Sequence, residues 1–206
     1  MGISAISFHK YPDFVVRDKI MITESAGKRY SLTIPFANNQ CGKKICVILK
    51  NPSRATATGS DRTINRVLNY IYSKGYGTVC ILNLFPFYST QSRNVLPFYS
   101  NPSFQNVMAQ NIATIRKECS GQEVILAWGT DTISMSRSLS NQNHQIYNKT
   151  VSRVTNLVTK CASQLYYVDR CHSQSFKCAC PCPNQCKIRY PLHGLRWKQK
   201  SVMFPY

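Results

Sequence analysis

Five of the ten cysteines crowd into one stretch, CHSQSFKCACPCPNQC, as Cys171, Cys178, Cys180, Cys182 and Cys186. Thiolates at this spacing suit metal binding. A CxC pair followed by CxxxC, stiffened by Pro181 and Pro183, can wrap one tetrahedral structural zinc, with His172 as a further donor. An iron–sulfur cluster and plain reduced thiols are the alternatives. The N-terminus, MGISAISFHKY, has no basic segment followed by a long apolar stretch. No secretory signal is read there, so a cytoplasmic protein with reduced cysteines is expected, not a disulfide framework. Cys41, Cys46, Cys80, Cys119 and Cys161 are scattered, mostly in apolar contexts, and read as small core residues.

Acids are scarce: 8 Asp+Glu stand against 26 Lys+Arg, for a net charge of +18. Paired catalytic carboxylates are therefore not expected, and Asp61 becomes conspicuous. It opens a helical stretch, where an aspartate ordinarily caps the first turn, and a catalytic role is compatible with that position. No GxGxxG, Walker loop, HExxH or GxSxG is present. An excess of this size favours a polyanionic partner. The basic residues, Arg54, Arg66, Arg153, Arg196 and Lys198 among them, are spread along the chain, which suits a folded basic face. Nucleic acid is the expected partner. No segment reads as a basic amphipathic helix and no apolar run reaches the ~18 residues of a membrane span.

The remaining polar candidates gain meaning from the elements that carry them. Residues 14–36 predict two strands around a Ser-Ala-Gly turn. Short apolar runs at Cys46–Leu49, Thr78–Leu82, Glu123–Trp128 and Leu165–Val168 predict buried strands. Between them, apolar residues at helical spacing predict helices over 61–73, 105–118 and about 151–164. The alternation implies a three-layer α/β fold: a mainly parallel four-stranded central sheet with helices on both faces. The N-terminal hairpin and a Cys-rich insertion at 170–187 are added to it, in one domain over 1–206 that is expected to be monomeric. Ligands in such sheets sit beyond the carboxyl ends of the strands. The segments expected to converge there are Asn51-Pro52-Ser53, Asn83-Leu84-Phe85, Gly129-Thr130 and Tyr190-Pro191-Leu192-His193.

The same segments resemble a known family. KNPSRATATGSDRT, GYGTVCILNLFPFYST, VILAWG and YPLHGL are similar to the bacterial domain-of-unknown-function family 1643, with its NPSxA, DxT, NLF, WG and PxHPL elements. His193-Gly194-Leu195 stands where that family has HPL, and the likeness runs from about Cys46 to Leu195. In the same order, the four elements also resemble the uracil-DNA glycosylase superfamily.

That resemblance implies base flipping and cleavage of an N-glycosidic bond in DNA. Asn51 falls where the catalytic Asp or Asn sits, to hold a water, with Asp61 as base or electrostatic partner. His193 falls where a histidine stabilises the departing base. Asn83 matches the residue that reads the base edge, and Phe85 or Phe87 would stack on it. Leu195 would wedge into the vacated stack while Arg54, Arg196 and Lys198 hold phosphates. Ser53 stands where the uracil-specific branch has a tyrosine that closes the space beside carbon 5. The resemblance therefore implies a pyrimidine with a bulky 5-substituent, of the kind found in bacteriophage genomes, and a role in defence against phage. Two further readings are a non-catalytic zinc-stabilised nucleic-acid-binding module and an N-glycosidase acting on free nucleosides or nucleotides.

Overall fold

Ile45 to Leu49 is apolar at every position, as a strand covered on both faces must be. In the computed structural model this run forms the middle of a sheet. The structure describes residues 9–37, 42–88, 103–129, 140–169, 193–198 and 201–206. Its elements in chain order are β1 (Met21–Ser25), β2 (Lys28–Pro35), β3 (Lys44–Leu49), α1 (Arg62–Ser73), β4 (Thr78–Asn83), α2 (Phe104–Cys119), β5 (Glu123–Leu126), α3 (Ser140–Cys161), β6 (Gln164–Asp169) and β7 (Val202–Pro205).

The sheet is seven-stranded and mixed, in the order β1-β2-β4-β3-β5-β6-β7, wider than the four strands expected. β4, β3, β5 and β6 are mutually parallel, and the flanking pairs β2–β4 and β6–β7 are antiparallel. β1 and β2 form the N-terminal hairpin. Ala26 and Gly27 both take positive φ, 48° and 70°, as a tight right-twisting hairpin requires. β2 then joins the central sheet along β4, with Leu32 opposite Ile81. β7 was not expected, because four residues are too few to show a two-residue period.

The side-chain alternation of β3 divides the core. Ile45, Val47 and Leu49 face α1, where they meet Ile64, Val67, Leu68 and Ile71. Cys46 and Ile48 face the opposite layer, with Ile112 and Ile115 of α2 and Val154 and Val158 of α3. Each such aliphatic side chain contributes about 1.5–3 kcal/mol on burial. Cys46, Cys80 and Cys119 are buried free thiols in this layer, and hydrogen bonding between the thiols, then burial, raises the Cys46 and Cys80 pKa values well above the ordinary thiol range. α3 starts at Ser140, earlier than expected near 151. Its first turns are too polar to show a helical period, yet Tyr147 anchors them in the core. The cysteine-rich stretch 170–187 lies outside the described residues. No helix among the described residues is long and apolar enough to cross a membrane.

Candidate functional site

β3 and β4 end in register, Leu49 against Asn83. The pairing continues beyond both strands, because the Leu84 N–H donates to the Leu49 carbonyl (2.8 Å) and the Phe85 N–H to that of Lys50 (3.0 Å). This sets the segments that follow β3 and β4 side by side. From β3 the chain crosses one face through α1 to β4, then returns over the other face through α2 to β5 on the far side of β3. The connection reverses between β3 and β5, and the carboxyl end of that pair is where such sheets form a crevice.

The Asn51 segment enters this crevice from β3. The Asn83 amide nitrogen donates to the Asn51 carbonyl oxygen (3.1 Å) and to that of Leu82 (3.3 Å), the orientation that satisfies both ends of the amide. The Asn51 amide makes a long bond, 3.4 Å, to the Pro52 carbonyl oxygen. The loop beyond is tied by Asp61. One carboxylate oxygen caps α1, accepting from the Thr63 N–H (2.8 Å) and the Ile64 N–H (3.0 Å). The other accepts from the Ala55 N–H (3.1 Å).

His193 approaches from the other side, and two glycines permit it. Gly129 follows β5 with φ 74°, and a methyl there would come within 2.9 Å of the His193 Cβ. Gly194 lies so close to α1 and β3 that a methyl would meet Val67 at 2.8 Å and Leu49 at 3.1 Å. A short 3-10 turn, Gly194–Arg196, follows, and Trp197 packs on Tyr70 of α1 with ring centroids 5.0 Å apart. The histidine backbone is thus held between β5 and α1. Gly129→Ala should cost about 2–3 kcal/mol, since it combines left-handed backbone strain with the clash against His193. Denaturant unfolding checks this; a variant as stable as the wild type would show that the approach relaxes freely.

The electrostatics of the crevice are positive. Lys50, directly before Asn51, is only 6% exposed, and its ammonium lies 5.3 Å from the centre of the Tyr147 ring. Burial, then the charges of Lys50 and Arg196, lower the His193 pKa from 6.5 to about 4. His193 is therefore a neutral imidazole at neutral pH, able to donate through one N–H. Ser53 carries a hydroxyl that is buried and has no hydrogen-bond partner among the described residues. The Trp128 indole N–H, just past β5, is likewise buried without one. An orphaned buried group costs about 1–3 kcal/mol, which a ligand able to pair with it recovers.

The expected site residues thus separate into distinct positions. Asn51, Ser53 and His193 come to one end of the sheet. Asn83 comes there too, but it is fully buried and braces the Asn51 loop from beneath rather than reading a base edge. Both Asp61 oxygens hold backbone, so its ordinary capping role is the one it fills. Phe85 and Phe87 point inward: Phe85 is fully buried against Tyr147 (6.3 Å) and Phe87 stacks on Phe104 (5.8 Å). Both apolar residues turn inward after β4 and fill the α2–α3 layer. Arg54, Arg196 and Lys198 are exposed. The Leu195 side chain lies outside the described residues, as do Cys171, Cys178, Cys180, Cys182 and Cys186. Among the described residues, no group of three or more His, Cys, Asp or Glu could hold a metal ion.

Lys50, Asn111 and Tyr147 were not expected in the site. Asn111 donates from α2 to the Asn83 and Leu84 carbonyl oxygens at 3.0 and 3.1 Å. Tyr147 donates from α3 to the Gly129 carbonyl oxygen at 3.1 Å. Both anchor strand ends whose carbonyls have left the sheet ladder. Only Lys50 carried a signal in the sequence, as a charge closing an apolar run.

No curated protein and no solved structure matches the chain. A family model does match, over residues 29–179, which takes in the sheet from β2 to β6 and stops short of His193. With most of its length inside that match, the chain belongs to the family described as protein of unknown function DUF1643.

Proposed function

We propose that the protein is a DNA glycosylase that flips a 5-substituted pyrimidine out of DNA and hydrolyses its glycosidic bond, leaving an abasic site. The observation that carries this reading is a neutral His193 held against Gly129 at the sheet's reversal point, in the field of buried Lys50, the residue before Asn51. Such a site suits a reaction that develops negative charge on a leaving group. Water held by Asn51 attacks C1′ as the C1′–N1 bond breaks. The electron pair of that bond leaves with the base, whose O2 accepts the His193 N–H. The Lys50 charge favours the same anion, and the proton released by water reaches the base through solvent. Asn83 and Asp61 act as positioning residues, since their bonds hold the Asn51 loop.

Extruding a nucleotide costs a few kcal/mol, which phosphate contacts from a chain of net charge +18 can offset. The unpartnered Ser53 hydroxyl supports a substrate with a polar group on carbon 5. Bases of that kind make defence of a bacterial cytoplasm against phage the natural setting, with the protein acting as a monomer.

The deciding experiment incubates the protein with oligonucleotides containing uracil, thymine mismatches, 5-hydroxymethylcytosine and its glucosylated form, followed by alkaline cleavage. Strand breaks at the modified position are expected. Binding without breaks would favour the silent nucleic-acid module, and turnover of free nucleosides alone would favour the nucleosidase.

Zinc belongs to the same reading, held by Cys178, Cys180, Cys182 and Cys186 with Cys171 or His172 nearby in sequence. Its part is structural, because thiolates fill its coordination sphere. Freshly purified protein should contain about one zinc per chain by elemental analysis. Protein free of both zinc and iron would overturn this.

A further inference from the structure

The most unusual buried group outside the crevice is Arg29. It is the second residue of β2, and its backbone N–H donates to the Pro86 carbonyl oxygen (2.9 Å) beyond the carboxyl end of β4. The residue is 0% exposed. One guanidinium nitrogen, Nη1, donates to the Ala55 carbonyl oxygen at 2.6 Å, inside the loop that joins Asn51 to Asp61. The other two, Nε and Nη2, are buried without a hydrogen-bond partner among the described residues.

Those two nitrogens share one edge of the guanidinium plane. Their N–H bonds are parallel and match the two oxygens of a phosphate or carboxylate. The described carboxylates closest in charge do not fill this edge. Asp61 is committed to the Ala55, Thr63 and Ile64 N–H groups, and Glu24 accepts from the Tyr88 hydroxyl at 3.1 Å. Tyr88 covers the guanidinium, with its ring centre 5.6 Å from Cζ. The Tyr88 hydroxyl lies close enough to act on the guanidinium as a weak hydrogen-bonding neighbour, but it makes no bond of good geometry to Nε or Nη2. A buried cation with an unpaired bidentate edge is among the costliest arrangements a fold can keep. A partner that docks on that edge recovers the cost. Tyr88 itself is 36% exposed, so the ring over the guanidinium lies at the protein surface.

We propose that the Nε–Nη2 edge of Arg29 is an oxyanion site, covered by Tyr88, that takes a backbone phosphate of the nucleic acid held at the neighbouring crevice. The location suits this, because Arg29 grips the same loop that carries Asn51 and Ser53. A phosphate seated there would fix that loop as the nucleotide enters. The proposal rests on the nucleic-acid part of the proposed function but not on base excision.

The test has two arms. In the first, inorganic phosphate is titrated against thermal unfolding of the wild type, Arg29→Met and Tyr88→Ala. Phosphate should raise the wild-type midpoint, leave Arg29→Met unmoved, and protect Tyr88→Ala at lower concentration because the cover is gone. In the second, binding to a short oligonucleotide is measured across salt concentrations, with Arg116→Met at the opposite end of the sheet as the control for simple charge loss. Arg29→Met should weaken binding about tenfold and reduce the slope of log affinity on log salt by about one contact. Arg116→Met should change both far less. Equal phosphate protection of the wild type and Arg29→Met would overturn the site. Protection by free phosphate combined with an unchanged salt slope would overturn its assignment to nucleic acid. If Arg29→Met does not fold, weaker phosphate protection of Tyr88→Ala than of the wild type overturns the covered-edge geometry on its own. Arg29-dependent binding without any strand breaks in the excision assay would sink the glycosylase reading and leave this site standing.

Discussion

Replacing His193 with alanine should slow base release about a hundredfold to a thousandfold, the usual effect of losing one preorganised donor to a developing anion. DNA affinity should stay close to the wild-type value, because grip is assigned to exposed cations and not to the imidazole. Asn51→Ala should show the same separation. Single-turnover release and equilibrium binding, measured on the same oligonucleotide, check both. Undiminished release by either variant would remove that residue from the chemistry.

The pH profile sharpens the test. His193 titrates near 4 in the folded chain, against 6.5 when free. The acid limb of the release rate should therefore lie near pH 4, and no limb belonging to His193 should appear near 6.5. The same shift bears on stability. Protons bind the unfolded chain more readily than the folded one, so stability present above pH 6.5 is lost as the pH falls toward 4, and the loss levels off below that. The loss attributable to this side chain is on the order of 3 kcal/mol, at ~1.4 kcal/mol per pKa unit. His193→Gln should flatten that part of the stability profile.

Ser53→Tyr should abolish release of glucosylated 5-hydroxymethylcytosine, by about a hundredfold or more, while sparing uracil. The Ser53 hydroxyl is buried and has no partner among the described residues, so the wild-type site should favour a substituent that bonds to it. Sites built around a polar contact reject ligands lacking it far more strongly than apolar pockets reject a missing methylene. A tyrosine ring would fill that space and remove the donor together. Relative release rates across the base panel decide the matter. Fastest release of plain uracil by the wild type, or tolerance of large substituents by Ser53→Tyr, would place specificity elsewhere.

The α/β class, the N-terminal hairpin and the ends of the sheet where chemistry could gather are all legible in the residue pattern. These are local properties. Ile45–Leu49 and Thr78–Leu82 are too apolar for any place but a covered strand, and Asp61 followed by Ile64, Val67, Leu68 and Ile71 is a capped helix with one apolar face. Asn51, Ser53 and His193 were legible because residues just beyond such strands have few other places to go.

Tertiary structure alone decided what those positions mean. Phe85 and Phe87 follow a strand end just as Ser53 does, yet they turn into the α2–α3 layer, because apolar area is worth more inside than at a crevice. Asp61 and Asn83 became braces because neighbouring backbone N–H and C=O groups needed partners once the strands ended. The neutrality of His193 depends first on its burial and then on the charges of Lys50 and Arg196, and both follow only once β3 and the 3-10 turn meet. The unpaired edge of Arg29 is of the same kind. Nothing in KRY marks a buried cation, since burial and partnership are set by which loops close over a side chain, and pairing across a sheet is not written in any local pattern.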